Sequence, residues 1–250
     1  MIKALAIFGK KDDWSEADFL AHYKERHAPL VAGTAGFTRC CTKYRQNFPV
    51  EGEQNIPFQT RPAGRTAVTE LWFPSEDDIA TAYASEDYMA RVRPDEEVFA
   101  ATDSANVMLC EERPIWSAPI AAGENPDLQW ARGSRIRLFV CRVPHARYSA
   151  AELQEGWRTA VNGMLDMPFF KVEVRGYLQS LVTPGNVADL AQAPANAIAL
   201  VEEFTFDTID AAVRFWTAAL DDPELHAIWD HWTDLSDLQL FLARGHLVFE

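Results

Sequence analysis

The segment IKALAIFGKKDDWSEADFLAHYKERHAPL, residues Ile2–Leu30, is repeated in outline later in the chain. Its counterpart is IRLFVCRVPHARYSAAELQEGWRTAVNGML, residues Ile136–Leu165, at a constant offset of 134 residues. A second pair of segments, TELWFPSEDDIATAY and EEFTFDTIDAAVRFW, keeps an offset of 133 residues. A register held to within one residue over about 80 positions predicts two structurally equivalent units in one chain.

Each unit shows the same order of elements. A β-rich run precedes a helix with a Ser N-cap and a carboxylate in its first turn; two strands, a second helix and a last strand follow. In the first unit we predict strands at Ile2–Phe8, Phe37–Phe48, Thr66–Phe73 and Asn106–Glu112, and helices that start at Ser15 and Ser75. In the second unit we predict strands at Ile136–Val143, Phe169–Val182, Ala197–Phe206 and Leu238–Phe249, and helices that start at Ser149 and Asp207. The order β-α-β-β-α-β is that of the ferredoxin-like unit.

The domain organisation follows from the two units. We predict a first repeat at residues 1–113, a linker rich in Pro, Gly and Ala at residues 114–133, and a second repeat at residues 134–250. A four-stranded sheet with helices on one face leaves its other face uncovered, and two such sheets can bury those faces against each other. The expected fold class is therefore α+β, with both repeats forming one barrel-like core surrounded by helices, a fused pseudo-dimer.

The composition excludes several functions. Hydrophobic residues make up 48% of the 250 residues, which is enough for a sizeable core, and the net charge of −14 disfavours nucleic-acid binding. No apolar stretch approaches the length of a membrane span, and we interpret the N-terminal segment as a strand rather than a signal peptide. The four cysteines show no metal-binding spacing, which is typical of reduced cysteines in a cytoplasmic protein.

Three motifs carry a likeness to a known family. They are a first helix of the form F-x-x-x-W/Y-x-x-x-H-A-P-L, an E-x-W-F strand end followed by Ser and an acidic residue, and a later D-E-x-x-F. They stand here as Phe19, Tyr23, His27, Ala28, Pro29 and Leu30; Glu70, Trp72, Phe73, Ser75 and Glu76; and Glu96, Glu97 and Phe99 with Asp95 adjacent. The chain resembles the EthD-type branch of the dimeric α+β barrel superfamily, in tandem form.

The resemblance implies a range of activities. Relatives include cofactor-free lactone isomerases, polyketide cyclases, quinol-forming oxygenases and haem-binding members. Tandem EthD-like chains are similar to proteins of methoxylated-aromatic, lignin-type catabolism. In such folds the pocket lies between the sheet and the helices of one unit, so each repeat could hold one.

Tyr23 and His27 are the predicted catalytic residues. They share one helix face with the apolar Phe19 and Leu30, and histidine is well suited to proton transfer near neutral pH. The alternative is that His27 only hydrogen-bonds the helix end before Pro29. The second repeat has Val161 at the position of His27, which favours a role specific to the first repeat.

Other side chains are candidates for substrate binding. Arginines suit a carboxylate substrate, and tryptophans suit a flat conjugated one. The candidates are Arg39, Arg61, Arg65, Glu70, Trp72, Arg175, Tyr177, Trp216, His226 and Trp229. The alternatives are solvated surface charges for the arginines, an ion pair with a neighbouring strand for Glu70 and its counterpart Glu203, and core packing for the aromatic residues. Metal-ligand spacing is poor, and no metal site is predicted.

These observations lead to a functional hypothesis. We expect a cofactor-independent enzyme that isomerises a small acidic ring-cleavage product of aromatic catabolism, or hydrolyses its methyl ester. His27 would act as general acid and base, and Tyr23 would donate a hydrogen bond to an enolate or carbonyl oxygen. The alternatives are a polyketide cyclase-like enzyme and a non-catalytic protein that binds a hydrophobic ligand or haem. The expected assembly is intramolecular pairing of the repeats, with a homodimer left open.

Overall fold

The computed structural model describes residues 1–52, 55–58, 62, 64–119, 135–183 and 197–250. Eight strands form one closed antiparallel barrel in the order β1-β3-β2-β8-β5-β7-β6-β4. They are β1 (Ile2–Phe8), β2 (Lys43–Pro49), β3 (Ala67–Phe73), β4 (Asn106–Ser117), β5 (Ile136–Arg142), β6 (Val174–Val182), β7 (Leu200–Phe206) and β8 (Gln239–Phe249).

The barrel closes because the two repeats pair at both edges of their sheets. Strand β2 of the first repeat pairs with β8 of the second, and β4 of the first pairs with β6 of the second. A closed barrel leaves no strand edge unpaired. The predicted α+β pseudo-dimer is therefore confirmed as the architecture of the chain. Strand β4 continues to Ser117, into the segment predicted as the linker, and most of that segment lies outside the described residues.

The helices cover the outside of the barrel. Those of the first repeat are α1 (Glu16–His22), a π-helical turn at Tyr23–His27, α2 (Ala28–Ala32), α3 (Ala35–Thr38), α4 (Glu76–Ala84), a π-helical turn at Tyr88–Val92, and α5 (Arg93–Phe99). Those of the second repeat are α6 (Ala150–Leu165), α7 (Phe170–Glu173), α8 (Ile209–Asp221) and α9 (Pro223–Trp232). No helix among the described residues is long and apolar enough to cross a membrane.

The predicted N-caps are present. The side chain of Ser15 accepts a hydrogen bond from the backbone N–H of Asp18, and Ser149 forms a reciprocal capping box with Glu152. Each cap satisfies a backbone donor that has no partner inside its helix, which fixes where the helix begins.

Two predicted strands are partly wrong. Residues Phe37–Phe48 contain the end of α3 before β2 begins at Lys43, and residues Phe169–Val182 contain α7 before β6 begins at Val174. The aromatic residues that suggested a strand pack instead as helix residues. The Phe37 ring stacks on Tyr88 at 5.5 Å, and the Phe170 ring meets Phe215 at 5.9 Å. Tertiary packing outweighs the β propensity of these segments.

Charged side chains meet inside the barrel, in a group that we call the ion cluster: Lys3, Glu70, Arg137 and Glu203. The Lys3 ammonium lies 2.7 Å from Glu70 and 2.5 Å from Glu203, and Arg137 donates to both carboxylates. Burial opposes the charge on Lys3, but the carboxylates of Glu203 and Glu70 raise the pKa of this ammonium above its usual range. Each carboxylate thus binds cations from both repeats, so the cluster joins the repeats.

Candidate functional site

A cavity of about 110 Å³ lies between the first repeat's sheet and its helices. Its floor is formed by small side chains of β1 and β3, among them Ala4, Ala6 and Thr69, and its walls by helical aromatic residues. This cavity is smaller than an apolar cavity of about 150 Å³ that is known to hold benzene, so its size is on the scale of one small ring at most. The cavity lies where the family resemblance implied a pocket, between the sheet and the helices of one repeat.

Both π-helical turns contribute side chains to the cavity wall. In the turn Tyr23–His27 the backbone N–H of Ala28 donates to the carbonyl of Tyr23, and Pro29 follows. The turn Tyr88–Val92 precedes Pro94 in the same way. A proline ring clashes with the carbonyl four residues earlier, and the wider turn removes that clash.

His27 is held by a carboxylate that the sequence did not single out as a site residue. Oδ2 of Asp95 lies 3.0 Å from Nδ1 of His27, and Oδ1 lies 3.0 Å from Nε2 of His22. Burial opposes ionisation of Asp95, but hydrogen bonds and charges of His27 and His22 hold the pKa of this carboxyl below its usual value. An ionised carboxylate only accepts, so Nδ1 of His27 carries the proton and Nε2 is the nitrogen available to the cavity.

The side chain of His27 hydrogen-bonds Asp95 rather than the backbone of a helix end. The His27 side chain makes no capping hydrogen bond, although the residue is the N-cap of α2. It is buried, lines the cavity and stacks on Tyr23 with ring centroids 5.8 Å apart. His22, by contrast, does not line the cavity; it lies behind the wall, hydrogen-bonded to Asp95 and packed against Phe99 with ring centroids 4.8 Å apart.

Hydroxyl groups gather at one end of the cavity. Tyr23 shares a hydrogen bond with Thr69, and Gln46 Nε2 donates to the Tyr44 hydroxyl at 2.8 Å and to the Tyr23 carbonyl at 2.8 Å. Burial raises the pKa of both tyrosines above the usual range, so both keep their protons. Protonated hydroxyls in an apolar cavity are hydrogen-bond donors for a ligand oxygen.

An acidic residue, Glu96, lines the cavity itself. Glu96 accepts a hydrogen bond from the Tyr88 hydroxyl at 2.9 Å and lies 3.7 Å from the guanidinium of Arg93. Burial raises the pKa of Glu96. Asp95 and Glu96 are adjacent in the D-E-x-x-F motif. That motif is the only feature of the sequence that pointed to these two residues, and it did so as part of the family resemblance.

The corresponding region of the second repeat is packed. Trp157 and Val161 stand where Tyr23 and His27 stand in the first repeat, and the space beside them is about 10 Å³. Trp216 stacks on Trp229 at 5.3 Å, and both are buried in the core of that repeat. Tyr177 is buried in the same core, whereas His226 is exposed. Tyr177, Trp216 and Trp229 therefore pack in the core, as the alternative interpretation of these aromatic residues expected.

Three of the predicted arginines lie among the described residues, and all three lie away from the cavity. Arg39 is exposed after α3 rather than on a strand, and Arg175 pairs with Asp207 at 2.6 Å on the surface. Arg65 donates to Ser104 and Asn106, each at 3.3 Å. Arg61 lies outside the described residues.

The predicted strand residues of the first repeat also point elsewhere. Glu70 belongs to the ion cluster, and Trp72 Nε1 donates to Glu112 at 2.8 Å beside Lys3. Both side chains face the barrel interior, so the ion-pair alternative describes Glu70. Among the residues that the structure describes, the arginine that lines the cavity is Arg93. Among the described residues, no group of three or more His, Cys, Asp or Glu side chains is arranged to hold a metal ion.

Comparisons with known proteins agree with this architecture. Residues 11–103 match the family model of the EthD domain, which confirms the resemblance of the first repeat. No curated protein sequence matches the chain.

Several solved structures share the fold over both repeats. An anthrone oxidase-like protein aligns with 13% identity and a TM-score of 0.61, over 100% of this chain and 94% of its own. A candidate monooxygenase from Fusobacterium nucleatum subsp. nucleatum aligns with 8% identity and a TM-score of 0.53, over 99% and 92%. A candidate chlorite dismutase aligns with 11% identity and a TM-score of 0.51, over 98% and 94%. At these identities the likeness concerns the fold.

Proposed function

We propose that this chain is an enzyme that moves a proton on a small, largely apolar carbonyl compound bound in the cavity of the first repeat. The observation that carries the proposal is the pair formed by His27 and Asp95, at 3.0 Å, with the remaining ring nitrogen of His27 on an apolar cavity. A carboxylate that fixes the tautomer of a histidine is a recurrent arrangement for a general base. Val161 stands at this position in the second repeat, so the site belongs to the first.

The residues of the cavity support a sequence of steps. His27 Nε2 removes a proton from the carbon next to a carbonyl group, and the electron pair moves onto the carbonyl oxygen. A tyrosine hydroxyl donates a hydrogen bond to that oxygen. Glu96, whose pKa is raised by burial, returns a proton to a different carbon. The net result is the isomerisation of an enolisable compound. His27 then releases its proton and Glu96 takes one up, through solvent, so that both residues regain their starting forms.

Isomerisation suits the cavity better than methyl-ester hydrolysis. Hydrolysis needs a positioned water molecule, whereas the cavity wall is mainly aromatic and aliphatic, with residues such as Phe8, Val31, Leu71 and Phe99. A substrate carboxylate, as expected for a ring-cleavage product, would be placed near Arg93, the arginine of the cavity wall.

Oxygenation is a second candidate. Two structural neighbours carry names that refer to oxidation, an anthrone oxidase-like protein and a candidate monooxygenase. The carbanion that His27 would form is electron-rich and is also the species that reacts with dioxygen. The first chemical step is then the same, and the products separate the two candidates.

The binding-protein alternatives make different predictions. A cavity of about 110 Å³ is too small for a haem macrocycle, so the residues present do not fit that group. A carrier of a hydrophobic ligand would bind the same small compounds but would leave them unchanged.

The test is a screen of small enolisable ketones, keto acids and hydroxyarenes, with products identified by mass spectrometry and oxygen uptake recorded. We expect His27→Gln to lower turnover at least about 100-fold, the scale of general acid–base catalysis. His226→Gln, which changes an exposed histidine of the second repeat, is the matched control and should keep wild-type turnover. A folded His27→Gln protein with unchanged turnover would refute the proposal.

A further inference from the structure

We infer that the hydroxyls of Tyr23, Tyr44 and Thr69 form a subsite for a ligand oxygen that becomes negatively charged, because the second repeat holds its own carboxylate at the equivalent position. The inference rests on the proposed function and extends it, since it names the ligand group and the residues that bind it.

The second repeat shows what this arrangement of donors binds. Oε1 of Glu202 accepts hydrogen bonds from Trp157 Nε1 at 2.9 Å and from the Tyr177 hydroxyl. Gln179 Nε2 donates to the same hydroxyl at 2.7 Å, so the oxygen of Tyr177 acts as an acceptor there and its hydrogen is directed to Glu202. Glu202 is fully buried, and its carboxylate fills the space below α6.

Strand register makes the two repeats comparable residue by residue. Gln46 lies opposite Thr69 in the β2–β3 pair, and Gln179 lies opposite Glu202 in the β6–β7 pair. Tyr44 and Tyr177 each lie two residues before the glutamine on the same strand. Thr69 therefore occupies the position of Glu202.

In the first repeat the donors remain but the carboxylate is missing. Gln46 Nε2 donates to the Tyr44 hydroxyl at 2.8 Å, so the hydrogen of Tyr44 is directed away from Gln46, as it is in Tyr177. This hydrogen is directed to the Tyr23 hydroxyl, and a ligand oxygen would take the place of that acceptor. Tyr23 replaces Trp157 and reaches Thr69. Threonine is shorter than glutamate, and the volume that it leaves is part of the cavity. A ligand oxygen can take the place of the Glu202 carboxylate.

The surrounding charges indicate what kind of oxygen this is. In the second repeat Arg142 neutralises Glu202 through Nε at 2.8 Å and Nη2 at 2.7 Å. The residue at the equivalent position of β1 is Phe8, so no fixed cation stands at that position. Arg93, which also lines the cavity, is paired with Glu96 at 3.7 Å and with Glu97 at 3.3 Å. The cation that can form is His27, after it takes a proton. The subsite thus suits an oxygen that is neutral on entry and gains charge as His27 is protonated, as in an enolisable ketone or a phenol.

The probe for this inference is 4-nitrophenol, which absorbs at longer wavelength when ionised. At a pH below its own pKa, the wild-type protein is expected to bind it and to take its hydroxyl proton onto Nε2 of His27. Tyr44→Phe is expected to weaken binding about tenfold, the scale of one hydrogen bond to a charged oxygen. Thr69→Glu is expected to abolish binding, because it places a carboxylate where Glu202 lies in the second repeat.

Further variants separate the possible results. Tyr148→Phe removes an exposed tyrosine hydroxyl of the second repeat and should bind the probe like the wild type. If Thr69→Glu does not fold, Thr69→Val removes only the hydroxyl and should still weaken binding. Wild-type binding and ionisation in both Tyr44→Phe and Thr69→Val would overturn the subsite. If His27→Gln still ionises the probe, the proposed function fails, while weaker binding by Tyr44→Phe still supports the subsite.

Discussion

Replacing Asp95 by Asn is predicted to slow turnover by about one to two orders of magnitude while the protein stays folded. Asp95 accepts hydrogen bonds from His27 and His22, each at 3.0 Å. A hydrogen bond to a charged group contributes about 1.5–3 kcal/mol, and about 1.36 kcal/mol corresponds to a tenfold change in rate. Asparagine offers one acceptor and two donors, so it can turn an N–H toward His27 and favour the tautomer with the proton on Nε2.

The assay is steady-state turnover with the best compound of the screen. The loss should fall on kcat, with KM within about threefold of the wild type, because Asp95 does not line the cavity. The Nδ1 proton of His27 should give a downfield NMR resonance in the wild type that shifts in Asp95→Asn. His22→Gln is the control, and we expect a smaller loss. A folded Asp95→Asn protein with wild-type kcat and an unshifted resonance would refute the reasoning.

Three further predictions concern stability. Lys3→Met should lower the free energy of unfolding by about 3–5 kcal/mol, because two buried carboxylates lose a shared cation; a loss below about 1 kcal/mol in urea denaturation would contradict this. Gly156→Ala should destabilise the protein by about 1–3 kcal/mol, because the added Cβ would overlap the indole of Trp232. Gly163→Ala in the same helix adds a Cβ that contacts no other atom, and it should stabilise the protein by about 0.5–1 kcal/mol. Because the pKa of Asp95 is lowered by folding, its ionisation stabilises the folded state at pH values above its ordinary pKa of 3.8. This stabilisation is lost as the pH falls through the lowered pKa. Asp95→Asn should therefore make the free energy of unfolding depend less on pH on the acid side.

Much of the fold could be predicted from the repeated pattern. β-rich runs and Ser N-caps are local signals, and they placed most of the strands and the helices that begin after Ser15, Ser75 and Ser149. The short helices α3 and α7 could not be found in this way. Their aromatic residues have β propensity, and what keeps them helical is contact with distant rings, such as that of Phe37 with Tyr88.

The site could be predicted only in part. Tyr23 and His27 share a helix face, and that periodicity is visible in the sequence. Asp95 lies 68 residues from His27, and a contact over that distance has no local signature. The difference between Thr69 and Glu202 was present in the aligned repeats, but its meaning depends on which face of β3 and β7 points to the helices. The arginines could not be assigned, because surface and cavity positions look alike in a sequence.

Incorporation of solvent deuterium tests the central claim most directly. In deuterium oxide, the carbon next to the carbonyl of the best compound should exchange its hydrogen in the presence of the wild-type protein, as followed by NMR. We predict that His27→Gln reduces this exchange at least about 100-fold and that His226→Gln leaves it unchanged. Exchange at the wild-type rate in a folded His27→Gln protein would contradict the assignment of His27 as the base.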